Sequence, residues 1–339
     1  MSPTRKIGNA TFSAIGFGAS SLSAQSAQRR LRGGAVQVVR CARRRCTFWD
    51  TAADVYGDSE DLIGKWRVFE RTGKRADIFL ATKCGFTIPD RTVDGTPAHV
   101  RAAAASSLKR LGVDAIDLLY LHACIRFIRV TVGAMAEFVK CVRLPSPLPS
   151  LPYVLTRPAR ATGIREGKAN HLGLRSLRHH TLRRAYAVHP IAAVEVECSP
   201  FTGLGPGSRA RRTTIHARLL TGQYKSPADL PPNDFRRMVP RYSAANFPSI
   251  VKLAAGLQAL GAAQVALVWH QELHGRSVPP PCAHIFYLAE NVTAGSQALA
   301  PADVQAVRAV AAAADAAHSD RYPSAIMGLI FCETPPLHA

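Results

Sequence analysis

Short apolar runs alternate along the chain with longer stretches in which apolar residues recur at helical spacing. The apolar runs predict β-strands at 13–20, 46–52, 76–86, 115–124, 168–176 and 191–201. The stretches with helical spacing predict α-helices at 61–73, 97–113, 130–140, 181–190 and 301–318, with one more near 245–261. Strands that alternate with helices of this length are typical of repeated βαβ units, so the pattern predicts a parallel sheet.

A parallel sheet of this kind is either open and doubly wound or closed into a barrel. The doubly wound dinucleotide fold carries G-x-G-x-x-G after its first strand, and no such motif follows the first predicted strand here. We therefore predict an α/β fold, a single (β/α)8 TIM barrel domain over residues 1–339. Such a barrel places its working residues at the C-terminal ends of its strands.

Three segments do not follow this alternation of strands and helices. Residues 24–45 hold seven Arg and no acid, and residues 202–218 are rich in Gly and Arg. Residues 141–165 contain five prolines, which are incompatible with a regular helix or a central strand. We predict a Pro/Arg-rich surface insertion at 141–165 and treat all three segments as atypical.

The net charge of +20 changes the range of possible partners. The atypical segments contain seven, four and four Arg without an acid, so they supply fifteen of these charges. No zinc-finger spacing, RNP-like aromatic strand or KH-like G-x-x-G clamp accompanies them, so no specific nucleic-acid partner is expected. Charge-driven association with polyanions stays open as an alternative.

Other compositional signals are weak. A hydrophobic fraction of 47% excludes a wholly disordered chain. The eight cysteines form no C-x-x-C pair, and no His lies at zinc-like spacing from them, so no metal site is predicted. No apolar run approaches the roughly 20 residues of a membrane helix. The N-terminus lacks a signal-peptide pattern, so we expect a cytoplasmic protein without a membrane partner.

Ionisable residues lie at the ends of three predicted buried strands. Asp50 ends the second strand, Lys83 lies near the end of the third, and His122 lies near the end of the fourth, while Tyr56 follows Asp50 in the next loop. A buried Lys is costly without a partner, and Asp50 is its natural one. A cation beside a phenol is expected to lower the pKa of Tyr56 and make it a proton donor. Each residue alone also has a purely structural interpretation.

Several stretches together resemble the aldo-keto reductases, most closely the fungal and bacterial branch related to pyridoxal reductases and potassium-channel β subunits. They include SAIGFGAS, FWDTAADVYGDSEDLIGKW, DIFLATKCGFTIPD, SLKRLGVDAIDLLYLH, TLRRAYAVHPIAAVEVECSPFT and YLAENV. The resemblance implies a (β/α)8 barrel that reduces small aldehydes or ketones with NADPH. It makes Tyr56 the general acid, Lys83 and Asp50 the residues that tune it, and His122 the residue that orients the carbonyl.

The resemblance also implies cofactor contacts. The residues concerned are Gly18, Asp50, Ser176, Glu195, Glu290 and Asn291. Two of these contacts depart from the family pattern. The family's Ser near the nicotinamide carboxamide is replaced by Arg175 or displaced to Ser176, and its Gln in the next strand is Glu195. An additional alanine, from the pair Ala52 and Ala53, also places Tyr56 one residue further from Asp50.

The largest departure is the seventh strand. The family has a Tyr-Ser-Pro-Leu-Gly stretch there, and residues 202–218 contain none. A barrel that is incomplete or distorted around this strand is therefore expected. The alternative is a catalytically impaired or inactive reductase-like chain, in which retained intron sequence or a shifted reading frame produced the atypical segments. The carbonyl substrate, the choice between NADPH and NADH, and the oligomeric state stay open.

Overall fold

The architecture is that of a computed structural model of the 339-residue chain. The structure describes residues 3–19, 46–65, 75–87, 90, 92–123, 126–139, 167–175, 178–195, 219–232, 234–260, 265, 267–269, 292–314, 320, 323–324, 327–328 and 334. The atypical segments 24–45, 141–165 and 202–218 lie outside these residues, and so does the predicted distortion around a seventh strand.

The central element of the fold is a parallel β-sheet. Its strands within the described part of the chain are β3 (Phe17–Gly18), β4 (Phe48–Asp50), β5 (Phe79–Cys84), β6 (Ile116–Leu121), β7 (Ala169–Arg175) and β8 (Ile191–Glu195). They neighbour one another in chain order and every pair is parallel. The prediction of repeated βαβ units is therefore confirmed.

A small hairpin precedes the sheet. Its strands are β1 (Thr4–Ile7) and β2 (Ala10–Ser13), which pair antiparallel. The turn between them begins at Gly8, whose φ of 56° lies in the left-handed region that glycine adopts without strain. The Phe12 ring packs 5.1 Å from the Phe48 ring and 4.6 Å from the Phe79 ring, measured between centroids. The hairpin thus covers the N-terminal ends of the strands with apolar side chains.

Helices follow most of the strands. They are α1 (Ser59–Lys65), α2 (Pro97–Leu111), α3 (Ile128–Ala136), α4 (His179–Tyr186), α5 (Phe247–Ala259) and α6 (Pro301–Ala314). Helix α2 illustrates how local residues determine where a helix begins and ends. The Thr96 side chain accepts the His99 N–H at its start, and Gly112, with a φ of 65°, ends it. Among the described residues, no helix combines the length and apolarity that a membrane crossing requires.

Alternation along the strands separates the two faces of the sheet. In β5, Phe79 and Ala81 pack with the interior cluster, whereas Leu80 packs toward the helices. The next inward position after Ala81 is Lys83. The same period of two places Asp50 after Phe48 and Glu195 after Ala193. The interior is therefore apolar at the N-terminal end of the strands and ionisable at the C-terminal end.

Candidate active site

A buried ion pair lies at the C-terminal ends of β4 and β5. The Lys83 side chain is fully buried, and its Nζ donates to Asp50 Oδ1 at 2.5 Å. The same Nζ donates to the backbone carbonyl of Thr51 at 3.0 Å. The predicted pairing of Lys83 with Asp50 is therefore present, because the parallel register brings the ends of the two strands side by side.

Tyr56 and His122 complete the group. Tyr56 lies in the loop between β4 and α1 and is half-buried, with its ring centroid 5.0 Å from Lys83 Nζ. The Tyr56 and His122 rings meet edge to face, with centroids 6.0 Å apart. Phe86 approaches His122 with ring centroids 6.0 Å apart. All four predicted catalytic side chains thus gather at one end of the sheet.

The pKa of Tyr56 corrects one sequence-based expectation. Burial raises this pKa above its ordinary value, and the positive charges of Lys83 and Arg175 oppose the rise without reversing it. Lys83 does lower the pKa of Tyr56, as expected, but removal of the phenolate from water has the larger effect and makes the net shift a rise. The phenol is therefore protonated at neutral pH.

The pKa of His122 shifts in the opposite direction. Burial lowers it well below its ordinary value, and the positive charges of Arg175 and Lys83 lower it further. The imidazole is therefore neutral at neutral pH. A neutral imidazole offers one N–H donor and one acceptor nitrogen, which suits it to orienting a polar group rather than carrying a charge.

Burial and neighbouring charges have opposing effects on the pKa values of Asp50 and Lys83. Burial raises the pKa of Asp50 to about 6, against the lowering effect of Lys83, and Glu195 adds to the rise. Burial alone would lower the pKa of Lys83, but the carboxylates of Asp50 and Glu195 raise it above its ordinary value. Lys83 is therefore a cation throughout the physiological range.

A second ion pair adjoins the first. Arg175 Nε lies 2.9 Å from Glu195 Oε1, where the register pairs the last residues of β7 and β8. Glu195 Oε2 lies 3.6 Å from Lys83 Nζ. The family resemblance implies a cofactor contact for Glu195 and does not indicate its approach to Lys83. The signal was available, because Glu195 ends its strand at the same inward position as Lys83.

The other predicted cofactor residues are only partly described. Gly18 is buried and pairs with Asp50 across β3 and β4. Ser176, Glu290 and Asn291 lie outside the described residues. Within the described part of the chain, no three His, Cys, Asp or Glu side chains come together in a way that could hold a metal ion.

The sequence and the fold both match known reductases. The model of the Aldo/keto reductase family matches residues 14–312. Aldo-keto reductase str7 from Strobilurus tenacellus is 41% identical over 369 aligned positions, which cover 99% of this chain and 98% of that protein. The NADP(+) aldo-keto reductase yakc from Schizosaccharomyces pombe is 35% identical over 364 positions, with 99% and 98% covered.

Two solved structures show the same fold. The glycerol dehydrogenase AKR11B4 from Gluconobacter oxydans superposes with a TM-score of 0.73 at 18% identity, over 94% of this chain and 97% of that one. The aldo-keto reductase AKR11C1 from Bacillus halodurans, in its holo form, gives 0.64 at 18% identity, over 96% and 99%. Both are (β/α)8 barrels, as predicted for this chain. The protein belongs to the aldo/keto reductase family, whose members are NAD(P)H-dependent oxidoreductases.

Proposed function

We propose that this chain reduces the carbonyl group of small aldehydes or ketones to an alcohol, with NADPH as the hydride source and Tyr56 as the proton donor. The observation that carries the proposal is the gathering of four side chains at the C-terminal end of the sheet. Lys83 Nζ lies 2.5 Å from Asp50 Oδ1 and 5.0 Å from the Tyr56 ring, which contacts His122. The NADP(+) in the name of the Schizosaccharomyces pombe relative supports NADPH over NADH.

The pKa shifts of Tyr56 and His122 indicate different roles for these two side chains. The raised pKa of Tyr56 keeps its proton on the phenol at neutral pH, and the lowered pKa of His122 keeps the imidazole uncharged. Of the four side chains gathered here, Tyr56 is therefore the one that offers an O–H proton at neutral pH. The Lys83 cation, 5.0 Å from the ring, stabilises the phenolate that forms when the proton leaves.

The proposed reaction balances without a metal. The carbonyl carbon accepts a hydride, the electron pair of the broken C=O π bond takes the proton from Tyr56, and the phenolate regains a proton from solvent. As a neutral imidazole, His122 donates its ring N–H to the carbonyl oxygen and so fixes the direction of the carbonyl. Asp50 holds Lys83 in place through the 2.5 Å contact.

The residues at the barrel mouth fit a nicotinamide group, which supplies the hydride when the cofactor is bound. A carboxamide needs one donor for its oxygen and acceptors for its N–H groups, and Arg175 and Glu195 supply both kinds. We propose that Gly18, Asp50, Ser176, Glu195, Glu290 and Asn291 contact the cofactor.

The test is a comparison of two tyrosine variants. In Tyr56→Phe we expect kcat for a panel of aldehydes and ketones to fall by about 100-fold or more, because general acid catalysis contributes at least that much. Binding of NADPH, followed by its fluorescence, should be preserved. Tyr186→Phe is the control, because Tyr186 is an exposed phenol on α4 and should leave both quantities unchanged. Unaltered turnover in Tyr56→Phe would refute the proton-donor role.

A further inference from the structure

We propose that Glu60 and Arg110 form a part-buried clamp that positions the Tyr56 loop, defined as residues 51–58, for proton transfer. The inference rests on the proposed role of Tyr56 and assigns the clamp a positioning role only. Neither residue belongs to the group at the strand ends. Glu60 lies in the first turn of α1, and Arg110 lies in the last turn of α2.

The clamp is a fully engaged ion pair. The Glu60 side chain is completely buried, and its Oε2 accepts from Arg110 Nε at 2.8 Å and from Nη2 at 2.6 Å. The other oxygen, Oε1, accepts from the Thr82 hydroxyl at 2.5 Å. Arg110 Nη1 donates to the Ser106 hydroxyl at 3.0 Å within its own helix. Removal of either charged partner would leave a polar group without its counterpart in a buried environment.

The clamp reaches the Tyr56 loop through Ala53. Arg110 Nη2 donates to the Ala53 carbonyl at 2.9 Å, and the Ala53 N–H donates to the Lys83 carbonyl at 3.0 Å. Ala53 belongs to the alanine pair that lengthens this loop relative to the family pattern. Both of its backbone polar groups are therefore fixed, which holds the longer loop in one path. A buried 2.7 Å hydrogen bond between the Thr51 and Ser59 hydroxyls fixes the two ends of the loop.

A close helix contact brings the two charges together. A Cβ placed on Gly64 would lie 1.9 Å from the Arg110 carbonyl oxygen, so only glycine permits this approach of α1 to the end of α2. Gly64 lies four residues after Glu60 and therefore on the same face of α1. The absence of a side chain at Gly64 thus lets Glu60 reach Arg110.

The position of the clamp argues for a role beyond stability. It joins Thr82, which precedes Lys83 in β5, to Ala53, which lies three residues before Tyr56. A shift of the clamp therefore changes the separation between the Lys83 ammonium and the Tyr56 phenol. Arg101 on α2 pairs with Glu137 at the end of α3 through both carboxylate oxygens, and these side chains are 50% and 35% exposed. This pair lies at the surface, where an ion pair contributes little to stability.

The decisive experiment compares Arg110→Lys and Arg110→Met with Arg101→Met in the full-length protein. The lysine keeps the charge, but a single ammonium lacks the planar fork with which Arg110 reaches both Glu60 and Ala53. We expect both Arg110 variants to lower kcat by about 10- to 100-fold, the size of effect that a displacement near 1 Å produces. The NADPH Kd should be unchanged, because the hydrogen bonds of the clamp go to Thr82, Ser106 and Ala53, none of which is a proposed cofactor residue. Arg101→Met should match the parent protein in both quantities.

A second readout does not depend on turnover. The ionisation of Tyr56 is followed by ultraviolet absorbance as the difference between each protein and its Tyr56→Phe counterpart. We expect the Arg110 variants to shift this titration, because the phenol moves relative to Lys83, and Arg101→Met to leave it unchanged. If the parent protein reduces no carbonyl compound, the proposed function fails, and this titration still decides the clamp.

Three results would overturn the clamp. The first is a folded Arg110 variant with parental kcat and a parental Tyr56 titration. The second is an equal loss of NADPH binding and kcat, which would indicate general disorder at the barrel mouth. The third is failure of Arg110→Lys, Arg110→Met and Glu60→Gln to fold while Arg101→Met folds, because the pair would then serve the whole fold.

Discussion

Burial shifts the pKa values of Tyr56 and His122 in opposite directions, and both shifts follow from one physical cause. Removal from water disfavours the charged form, which is the deprotonated phenol for Tyr56 and the protonated ring for His122. Each side chain is therefore held in its neutral state. The Lys83 cation opposes this effect at Tyr56 and reinforces it at His122. As a result, Tyr56 keeps its O–H proton at neutral pH and His122 stays uncharged.

Glu195 stands where the family has Gln, and we expect its charge to change the pH dependence of kcat. Asp50, with a pKa of about 6, should produce an acid limb near that pH, because protonation of Asp50 removes the charge that holds Lys83. Glu195 raises the pKa of Asp50. We therefore predict that Glu195→Gln moves the acid limb of kcat to lower pH, by about one unit or less. Measurement of kcat between pH 4.5 and 8 checks this.

The control for this prediction is the double variant Arg175→Ser with Glu195→Gln. Arg175 lowers the pKa of Asp50, in the opposite sense to Glu195. The double variant removes both influences, so its acid limb should lie closer to that of the parent than the limb of the single variant does. An acid limb that moves upward in Glu195→Gln would contradict the assignment of this limb to Asp50.

At the scale of the element, two helix glycines have opposite surroundings. Gly64 in α1 meets the Arg110 carbonyl, whereas a Cβ on Gly133 in α3 would meet no atom within 4 Å. Alanine at Gly64 therefore forces α1 away from α2. Alanine at Gly133 adds only helix propensity, because alanine loses less backbone entropy in a helix than glycine does.

We predict a difference of sign between these substitutions. Gly64→Ala should lower the free energy of unfolding by about 1–3 kcal/mol, the usual cost of overpacking. Gly133→Ala should raise it by about 0.5–1 kcal/mol. Urea unfolding followed by far-ultraviolet circular dichroism measures both values. Equal effects in the two variants would mean that the α1–α2 contact tolerates a methyl group.

At the scale of the whole molecule, the open question is whether the folded chain binds its cofactor. Most of the net charge lies in the segments 24–45, 141–165 and 202–218, outside the described residues, while the four catalytic candidates lie at or just after the ends of described strands. A functioning barrel and an impaired reductase-like chain therefore differ in cofactor binding rather than in the composition of the strand ends.

We predict that NADPH raises the melting temperature of the purified protein in a saturable manner. A ligand that binds only the folded state adds about 2.7 kcal/mol of stability at one hundred times its Kd. A thermal melt at increasing NADPH concentration measures this, and NADH at equal concentrations tests the preference for the phosphate. Heparin, a polyanion, serves as the control for charge-driven association, whose effect should fall steeply with added salt. A cooperative melt that NADPH does not move would favour the impaired chain.

The sequence by itself determined the elements and the positions of the site residues along them. Strand alternation has a period of two, so the letters alone show that Lys83 follows Phe79 and Ala81 on one face of β5 and that Asp50 follows Phe48 on β4. Caps are local in the same way, as Thr96 and Gly112 show for α2. These features depend on neighbours a few residues apart, which is why the predicted strands and helices agree with the structure to within a few residues at most ends.

Only the tertiary structure decided the contacts between charges far apart in the chain, such as Glu60 with Arg110, and whether burial or a nearby charge has the larger effect on each pKa. Glu60 and Arg110 are 50 residues apart, and no local pattern indicates that a glycine at position 64 lets them touch. The approach of Glu195 to Lys83 requires β8 to lie in the same sheet as β5. The net rise in the pKa of Tyr56 depends on how much water the fold removes, which is a property of packing. Desolvation and long-range contacts therefore determine the protonation states and partners of residues whose positions along the strands the sequence already predicts.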